Sequence, residues 1–357
     1  MSISVQTLPI ENNENQSIEF FITSKQATNS LPSLCQLTPS KIIISPDVLL
    51  TDEIKPSIEV ISNISFTYNE AQPELVVFSD ISYSLLLALI KKCQLSVVAL
   101  NAVNHRNNLI SYRFSVMSDS VKKSTQLVAQ FALEHKIEAA LLVNTPQLDI
   151  PGLLVMDMDS TTIEIECIDE IAILAGVGEQ VAAVTELAMQ GQLDFAQSLH
   201  QRVAALEGAP ESILEEVARD IPLMSGLKTL IKQLKHYHWR IAIASGGFTY
   251  FADHLEKSLG LDASFANQLE IKEGKLTGKI LGDVFDAKAK ADSLAILSEK
   301  YTIAKEQTVA MGDGANDLVM MAAAHLGVAF HAKPIVLAQA DVSINHSGLD
   351  CLLHWLK

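Results

Sequence analysis

Positive charge is what this sequence most conspicuously lacks: 26 Lys and Arg stand against 42 Asp and Glu, a formal net charge of −16. So acidic a chain is poorly equipped to displace counterions from a phosphodiester backbone, which argues against nucleic acid as a partner. Small phosphorylated molecules stay open, since a metal ion with two or three local cations offsets the repulsion. Cysteine is scarce too. Its four copies, Cys35, Cys93, Cys167 and Cys351, form no C-x-x-C pair, so neither a disulfide framework nor a zinc site is expected and a reducing, cytoplasmic setting fits. Cys167 reads as a buried apolar thiol. Long apolar runs are missing: the longest without charge, 318–332, is too short and too interrupted to cross a bilayer. The opening MSISVQTLPIENNENQ has neither the basic flank nor the apolar core of a secretory signal. The histidines, His236 and His238 among them, show no metal-ligand spacing. There is no internal repeat, no low-complexity tract and no nucleophilic Ser or Cys motif.

What is present suffices for burial. Apolar residues make up 48% and charged residues 19%, a globular balance, and 357 residues predict two domains plus an insertion. Residues 1–72 read as irregular α+β, with short β-like runs at 18–22 and 41–44 separated by Ser, Asn, Thr and Pro. From 73 to 147 the pattern sharpens. ELVVFS is a strand, 81–92 a helix with Ser79 and Asp80 as capping candidates, and LSVVALNAV a strand. Asn107 and Asn108 turn the chain into the strand LISYRFSVM; Ser118, Asp119 and Ser120 then cap a helix to about 135, and EAALLV closes the set. The order βαββαβ is ferredoxin-like and is also that of amino-acid-sensing ACT modules. A docking module holding a homodimer together fits the same topology.

After a linker marked by Thr145, Pro146, Gln147 and Pro151, residues 151–357 alternate strands and helices. GLLVMDMD, WRIAIASG, QTVAMGDG, LGVAF and ADVSI are apolar runs fit for a doubly wound α/β parallel sheet covered on both faces. The strand-free helical segment at about 167–225 follows the first strand, which predicts a cap above the strands' carboxyl ends.

Four motifs carry chemistry. VMDMDST ends an apolar strand with Asp157 and Asp159, and because the chain turns there both carboxylates can reach the sheet edge. Two acids this close raise each other's pKa unless a cation neutralises them, and Mg²⁺ is the usual ion where phosphate is also bound. A pair of solvated turn aspartates would look the same. MGDGANDL ends another strand with Asp313 and Asp317; Gly312 and Gly314 allow close backbone approach, and Asn316 adds a neutral donor and acceptor. Alone this could be a simple turn, and it lacks the third glycine of a dinucleotide fingerprint. IASGG offers the Ser245 hydroxyl with the N–H groups of Gly246 and Gly247, either an anion cradle or an ordinary strand-to-helix turn. DAKAKADSL opens a helix with Lys288 and Lys290, either of which could hold a phosphate. All four fall, in a coherent order, at the carboxyl edge of one predicted sheet.

In that order, DMDST, the SGG turn, Lys290 and GDGAND resemble the four motifs of the haloacid dehalogenase superfamily of phosphohydrolases. Within it, DMDSTTIEIECIDE, FAQSLHQRV, ASGGFTYF and GDGANDLVMMAAAHLGVAFHAKP are similar to the phosphoserine phosphatase family, in its bacterial form with an extra N-terminal domain. The likeness covers about 151–350. It implies that Asp157 is the nucleophile that becomes phosphorylated, and that Asp159 serves as general acid and then as base. It implies Mg²⁺ held by Asp157, Asp313 and the backbone carbonyl of Asp159, with Asp317 holding the metal's water shell. Asn316 would orient the phosphate, while Ser245, the Gly246 N–H and Lys290 would grip the phosphoryl group. Glu166 and Arg202 match the family's substrate-recognition pair, and one Glu plus one Arg complement the ammonium and carboxylate of phosphoserine. Glu164 is a rival to Glu166 that only the motif register excludes. Met189 and Phe195 would line the pocket, and Met158, where many relatives have Phe, would pack into the core. The implied activity is hydrolysis of O-phospho-L-serine to serine and phosphate, the last step of serine biosynthesis, with no nucleic-acid or membrane partner. Three alternatives stand beside it: the same fold acting on another small phosphate such as a sugar, a phosphotransferase delivering to an alcohol, and a non-enzymatic signalling receiver. Asp159 and the cap argue against the receiver, which needs neither a leaving-group acid nor a lid.

Overall fold

The computed structural model describes residues 6–9, 16–17, 33–38, 41–46 and 72–357. It divides into two units, Met1–Thr145 with Leu353–Trp355, and Pro146–Leu352 with Leu356–Lys357.

The first unit contains β4 (Glu74–Phe78), α1 (Tyr83–Lys92), β5 (Ser96–Arg106), β6 (Leu109–Met117), α2 (Val121–His135) and β7 (Ala139–Leu142). With β1 (Gln6–Pro9), β2 (Ser33–Thr38) and β3 (Lys41–Pro46) they form one sheet in the order β1-β3-β2-β5-β6-β4-β7. The β-like run at 41–44 falls inside β3; the run at 18–22 lies outside the described residues. Neither Ser79 nor Asp80 caps α1. Ser82 does, its Oγ accepting the Leu85 N–H at 3.2 Å, because the chain stays in a turn through Asp80 before the helix begins. Asn107 and Asn108 take φ of 52° and 60°, the left-handed pair that a two-residue hairpin requires and that Asn tolerates. One sheet face buries Leu75, Val77, Tyr112 and Phe114 against Leu86, Leu89, Val128 and Phe131 of the helices. Several alternate positions, Glu74, Ser111, Arg113 and Ser115, bury polar groups instead. Arg113 Nη1 lies 2.8 Å from Glu74 Oε2, and its Nη2 donates to the carbonyls of His354 and Trp355. Buried charges persist only with such pairing.

The second unit carries the motifs. Its strands are β8 (Leu153–Met156), β9 (Arg240–Phe248), β10 (Ala263–Lys272), β11 (Lys275–Leu281), β12 (Thr308–Gly312), β13 (Leu326–Phe330) and β14 (Val342–Ile344). They lie in the order β11-β10-β9-β8-β12-β13-β14. From β10 to β14 every pairing is parallel, and β8, β12 and β13 are buried at every position, as continuous apolar runs covered on both faces should be. β8 and β12 are adjacent although far apart in sequence. Strand order reverses between them, and the crevice beyond such a reversal is where open α/β sheets bind ligands.

The sequence reading contains no strand between WRIAIASG and QTVAMGDG, yet β10 and β11 pair there as an antiparallel hairpin at the sheet edge. Glu273 and Gly274 turn it with φ of 53° and 71°. Neither strand is a continuous apolar run, because both are only partly buried. The cap comprises α3 (Cys167–Leu174), α4 (Gly178–Met189), α5 (Phe195–Ala205) and α6 (Ser212–Arg219). The segment between α5 and α6 hydrogen-bonds to the hairpin, Gly208 N–H to Leu276 O and Leu276 N–H to Ala209 O, each at 2.9 Å. α7 (Leu227–His236), α8 (Thr249–Leu259), α9 (Ala287–Tyr301) and α10 (Leu318–Ala323) complete the main helices. No helix among the described residues is long and apolar enough to cross a membrane.

Candidate active site

β8 stops at Met156, but Asp157 stays in register with β12, its N–H donating to Met311 O at 2.9 Å. The chain then reverses. Thr162 Oγ1 donates to Asp157 O at 2.5 Å, and the Thr162 and Ile163 N–H groups converge on Met158 O at 2.7 and 3.0 Å. This tight loop fixes the Asp157 carboxyl at the sheet edge and sends Met158 fully into the core. Across the strand reversal, β12 ends at Gly312. A Cβ there would lie 2.3 Å from Asp317 Cγ, so only glycine lets Asp317 fold back, where its Oδ2 accepts the Gly314 N–H at 3.0 Å.

Carboxylate oxygens of Asp157, Asp313 and Asp317 come within 4.8 Å of one another. Among them sits Lys290, 1% exposed, its Nζ 2.8 Å from Asp157 Oδ1 and 2.7 Å from Asp317 Oδ1. Three carboxylates against one ammonium leave room for a divalent cation, and an all-oxygen donor set fits a hard one such as Mg²⁺. Lys288 plays no part: 80% exposed, it pairs with Asp292 at 2.6 Å. The Asp317 carboxylate, assigned from the resemblance to the metal's water shell, belongs to the converging group. Asp159 contributes no carboxylate to that group; its Oδ1 accepts the Cys167 N–H at 3.0 Å instead.

Burial pushes the Asp157 carboxyl well above the ordinary carboxylate range, with Asp317 adding to the rise and Lys290 opposing it. Burial likewise lifts Asp313 to about 6, helped by Asp317. Asp159 rises to about 7, through burial first and Glu166 second, the poise a proton-transfer group needs near neutrality. Burial alone would lower Lys290, but Asp157 and Asp317 more than reverse this and its pKa is raised. The Cys167 thiol is raised by burial and by Asp159, and stays protonated.

The SGG turn closes the third side. Ser245 is buried and its Oγ accepts the Gly247 N–H at 2.9 Å. A Cβ on Gly246 would sit 2.6 Å from Phe195 Cζ, and one on Gly247 would sit 2.7 Å from Asp159 Oδ2. Asn267 pins the turn, its Nδ2 donating to Gly246 O at 2.9 Å while its Oδ1 accepts the Phe285 N–H at 2.7 Å. The sequence offers no signal for Asn267, since it stands on a strand that carries no apolar run.

Above these groups lies a cavity of about 870 Å³. Asp157, Asp159, Asp313, Asn316, Ser245 and Gly246 line its floor, and Glu166, Met189, Phe195 and Arg202 line it from the cap. Glu164 does not line it, its N–H being tied to Pro222 O, whereas Glu166 does, its Oε1 accepting from Ser160 Oγ at 2.8 Å. Lys290 and Asp317 are not among the lining residues, but Lys290 Nζ lies 2.8 Å from Asp157 Oδ1 at the cavity floor. Arg202 Nε is buried with no hydrogen-bond partner among the described residues, and burial lowers the guanidinium's pKa. An anion entering the cavity would satisfy a buried orphan donor of this kind. Asp169, Asp286 and Lys333 also line the cavity. All three stand within stretches quoted from the sequence, CIDE, DAKAKADSL and FHAKP, but the sequence reading gave none of them a role.

Residues 152–325 match the family model of the haloacid dehalogenase-like hydrolases. The phosphoserine phosphatase of Haemophilus influenzae is 57% identical over 224 residues, 63% of this chain and 71% of that protein. The unliganded crystal structure of a probable phosphoserine phosphatase from Vibrio cholerae superposes with a TM-score of 0.68 at 42% identity, covering 82% of this chain and 88% of that one. A phosphoserine phosphatase solved as a phospho-aspartyl intermediate analogue is 41% identical with a TM-score of 0.55, covering 58% of this chain and all of that one (100%). Identity at this level over most of a relative's length, together with acids meeting at the strand reversal beneath a helical cap, makes this chain a member of the phosphoserine phosphatase family within the haloacid dehalogenase-like hydrolases.

Proposed function

We propose that the protein hydrolyses O-phospho-L-serine to serine and phosphate through a phosphoaspartyl enzyme, the reaction that closes serine biosynthesis. The observation that carries this reading is one carboxylate, Asp157, held by Lys290 beside Asp313 and Asp317 at the floor of a cavity whose cap presents Arg202.

Asp157 Oδ1 accepts from the Met158 N–H at 2.7 Å and from Lys290. That leaves Oδ2 as the oxygen for in-line attack on phosphorus. Asp157 and Asp313, with the Asp159 backbone carbonyl, would hold Mg²⁺, which when bound supplies charge that keeps Asp157 ionised and screens the phosphate oxygens. Ser245, the Gly246 N–H, Asn316 and Lys290 grip the phosphoryl group, since such transfer depends on positioning and charge stabilisation. Asp159, poised near neutrality, delivers its proton to the departing serine oxygen. It then takes a proton from the water that cleaves the aspartyl phosphate. Arg202 meets the substrate carboxylate with paired hydrogen bonds, and Glu166 meets its ammonium. The four buried cysteines carry free thiols, which supports a reducing, cytoplasmic setting.

The test is phosphate release from L-phosphoserine with Mg²⁺ and after chelation, for the parent and for Asp157→Asn. The parent turns over with Mg²⁺; chelation and the substitution each reduce kcat at least about 10³-fold. Undiminished turnover in either would refute the mechanism.

A further inference from the structure

Six carboxylates line the cavity, Asp157, Asp159, Glu166, Asp169, Asp286 and Asp313, against two cations, Arg202 and Lys333. A phosphomonoester dianion approaching such a mouth meets a repulsive field over and above the chain's net −16. Lys290 cannot relieve it at a distance, being 1% exposed and committed to Asp157 and Asp317. Lys333 is differently placed. It follows β13, and its backbone N–H donates to Asp313 O at 3.4 Å. That bond anchors it beside the acids that converge at the floor. Its side chain is exposed and, among the described residues, makes no ion pair or side-chain hydrogen bond. The cavity therefore has a cation on the cap, Arg202, whose Nε has no hydrogen-bond partner among the described residues, and another on the core, Lys333, whose charge acts on Asp313 without a direct ion pair. A substrate bearing a carboxylate at one end and a phosphate at the other needs both.

We infer that Lys333 is the phosphate-capture residue of this site. Its ammonium meets the phosphate group of the incoming monoester before Lys290 and Ser245 take hold, and it holds inorganic phosphate again as product departs. The inference rests on the phosphomonoesterase reading. The contact serves capture and release and gains no strength in the transition state, so its loss weakens binding without slowing the chemical step.

The experiment compares the parent with Lys333→Ala and Lys333→Arg at saturating Mg²⁺, using L-phosphoserine, p-nitrophenyl phosphate and inorganic phosphate as probes. Lys333→Ala is expected to raise KM for both substrates, and the calorimetric Kd of inorganic phosphate, by about fivefold to tenfold, with kcat within about twofold. The fall of kcat/KM with added salt should also flatten, and Lys333→Arg should restore each parameter. Unchanged phosphate affinity in Lys333→Ala overturns the inference. So does a variant whose main change is the half-saturating Mg²⁺ concentration, which would make Lys333 a counter-charge for Asp313. A failure of the phosphoserine reading shows separately, as a parent that cleaves p-nitrophenyl phosphate but not phosphoserine. The calorimetric arm does not depend on turnover.

Discussion

At the scale of single residues, the site depends as much on side chains that are absent as on those present. Gly246 lies directly under the Phe195 ring, and a Cβ there would meet Cζ at 2.6 Å. Gly246→Ala should therefore push the ring into the cavity and raise KM for phosphoserine by about tenfold or more. Adding Phe195→Leu should recover part of the loss, and steady-state kinetics on the pair checks it; no recovery would place the effect in the SGG backbone instead. Sequence reached the acids easily, because Asp157, Asp159, Asp313 and Asp317 each stand in a compact motif at a strand end. It could not choose between Lys288 and Lys290. Two residues apart on a helix they face nearly opposite ways, and only the packing of α9 turns Lys290 inward.

At the scale of elements, α5 holds much of the cap's recognition surface. Phe195, Ser198, Leu199 and Arg202 stand at i, i+3, i+4 and i+7, and all four line the cavity. The helix is started by a capping box, in which Asp194 Oδ1 accepts the Gln197 N–H at 2.8 Å and Gln197 Oε1 accepts the Asp194 N–H at 3.1 Å. Asp194→Ala should cost about 1 kcal/mol of local stability. Because Phe195 is the first residue inside the cap, KM should rise by more than kcat falls. Equal loss in both would show that the first turn matters to the transfer step itself. The cap was legible as a helical insertion, since its apolar spacing changes from that of the flanking strands. The β10–β11 hairpin was not, because a partly buried edge alternates too weakly to stand out from loop sequence. Asn267 and the tie to the segment after α5 were hidden with it.

Across the whole molecule, the buried acids couple stability to pH and to metal. Asp159 and Asp313 titrate near 7 and 6 in the fold, above their unfolded value, so the fold favours their protonated forms. Their contribution to stability is complete below the unfolded pKa and is lost as pH rises through 6 to 7. A divalent cation reverses this for the acids it touches, because it favours the ionised form. In chelator, Tm should therefore fall between about pH 5 and about pH 8, and Mg²⁺ should raise Tm more at the higher pH. Thermal melts at the two values check this; an equal Mg²⁺ gain at both would mean that the acids are ionised without the metal.

β8 and β12, the strands that deliver Asp157 and Asp313, have parallel neighbours on both sides and buried residues at every position. Their amide protons should be among the last to be replaced in deuterated water, surviving until the unit opens globally, while those of the cap helices are lost earlier through local opening. Mass spectrometry of peptides spanning 153–157 and 308–313 against 178–205 would read this ordering directly. If it holds, the cap can swing to admit substrate and release product many times over while the two aspartates never leave the most durable part of the unit.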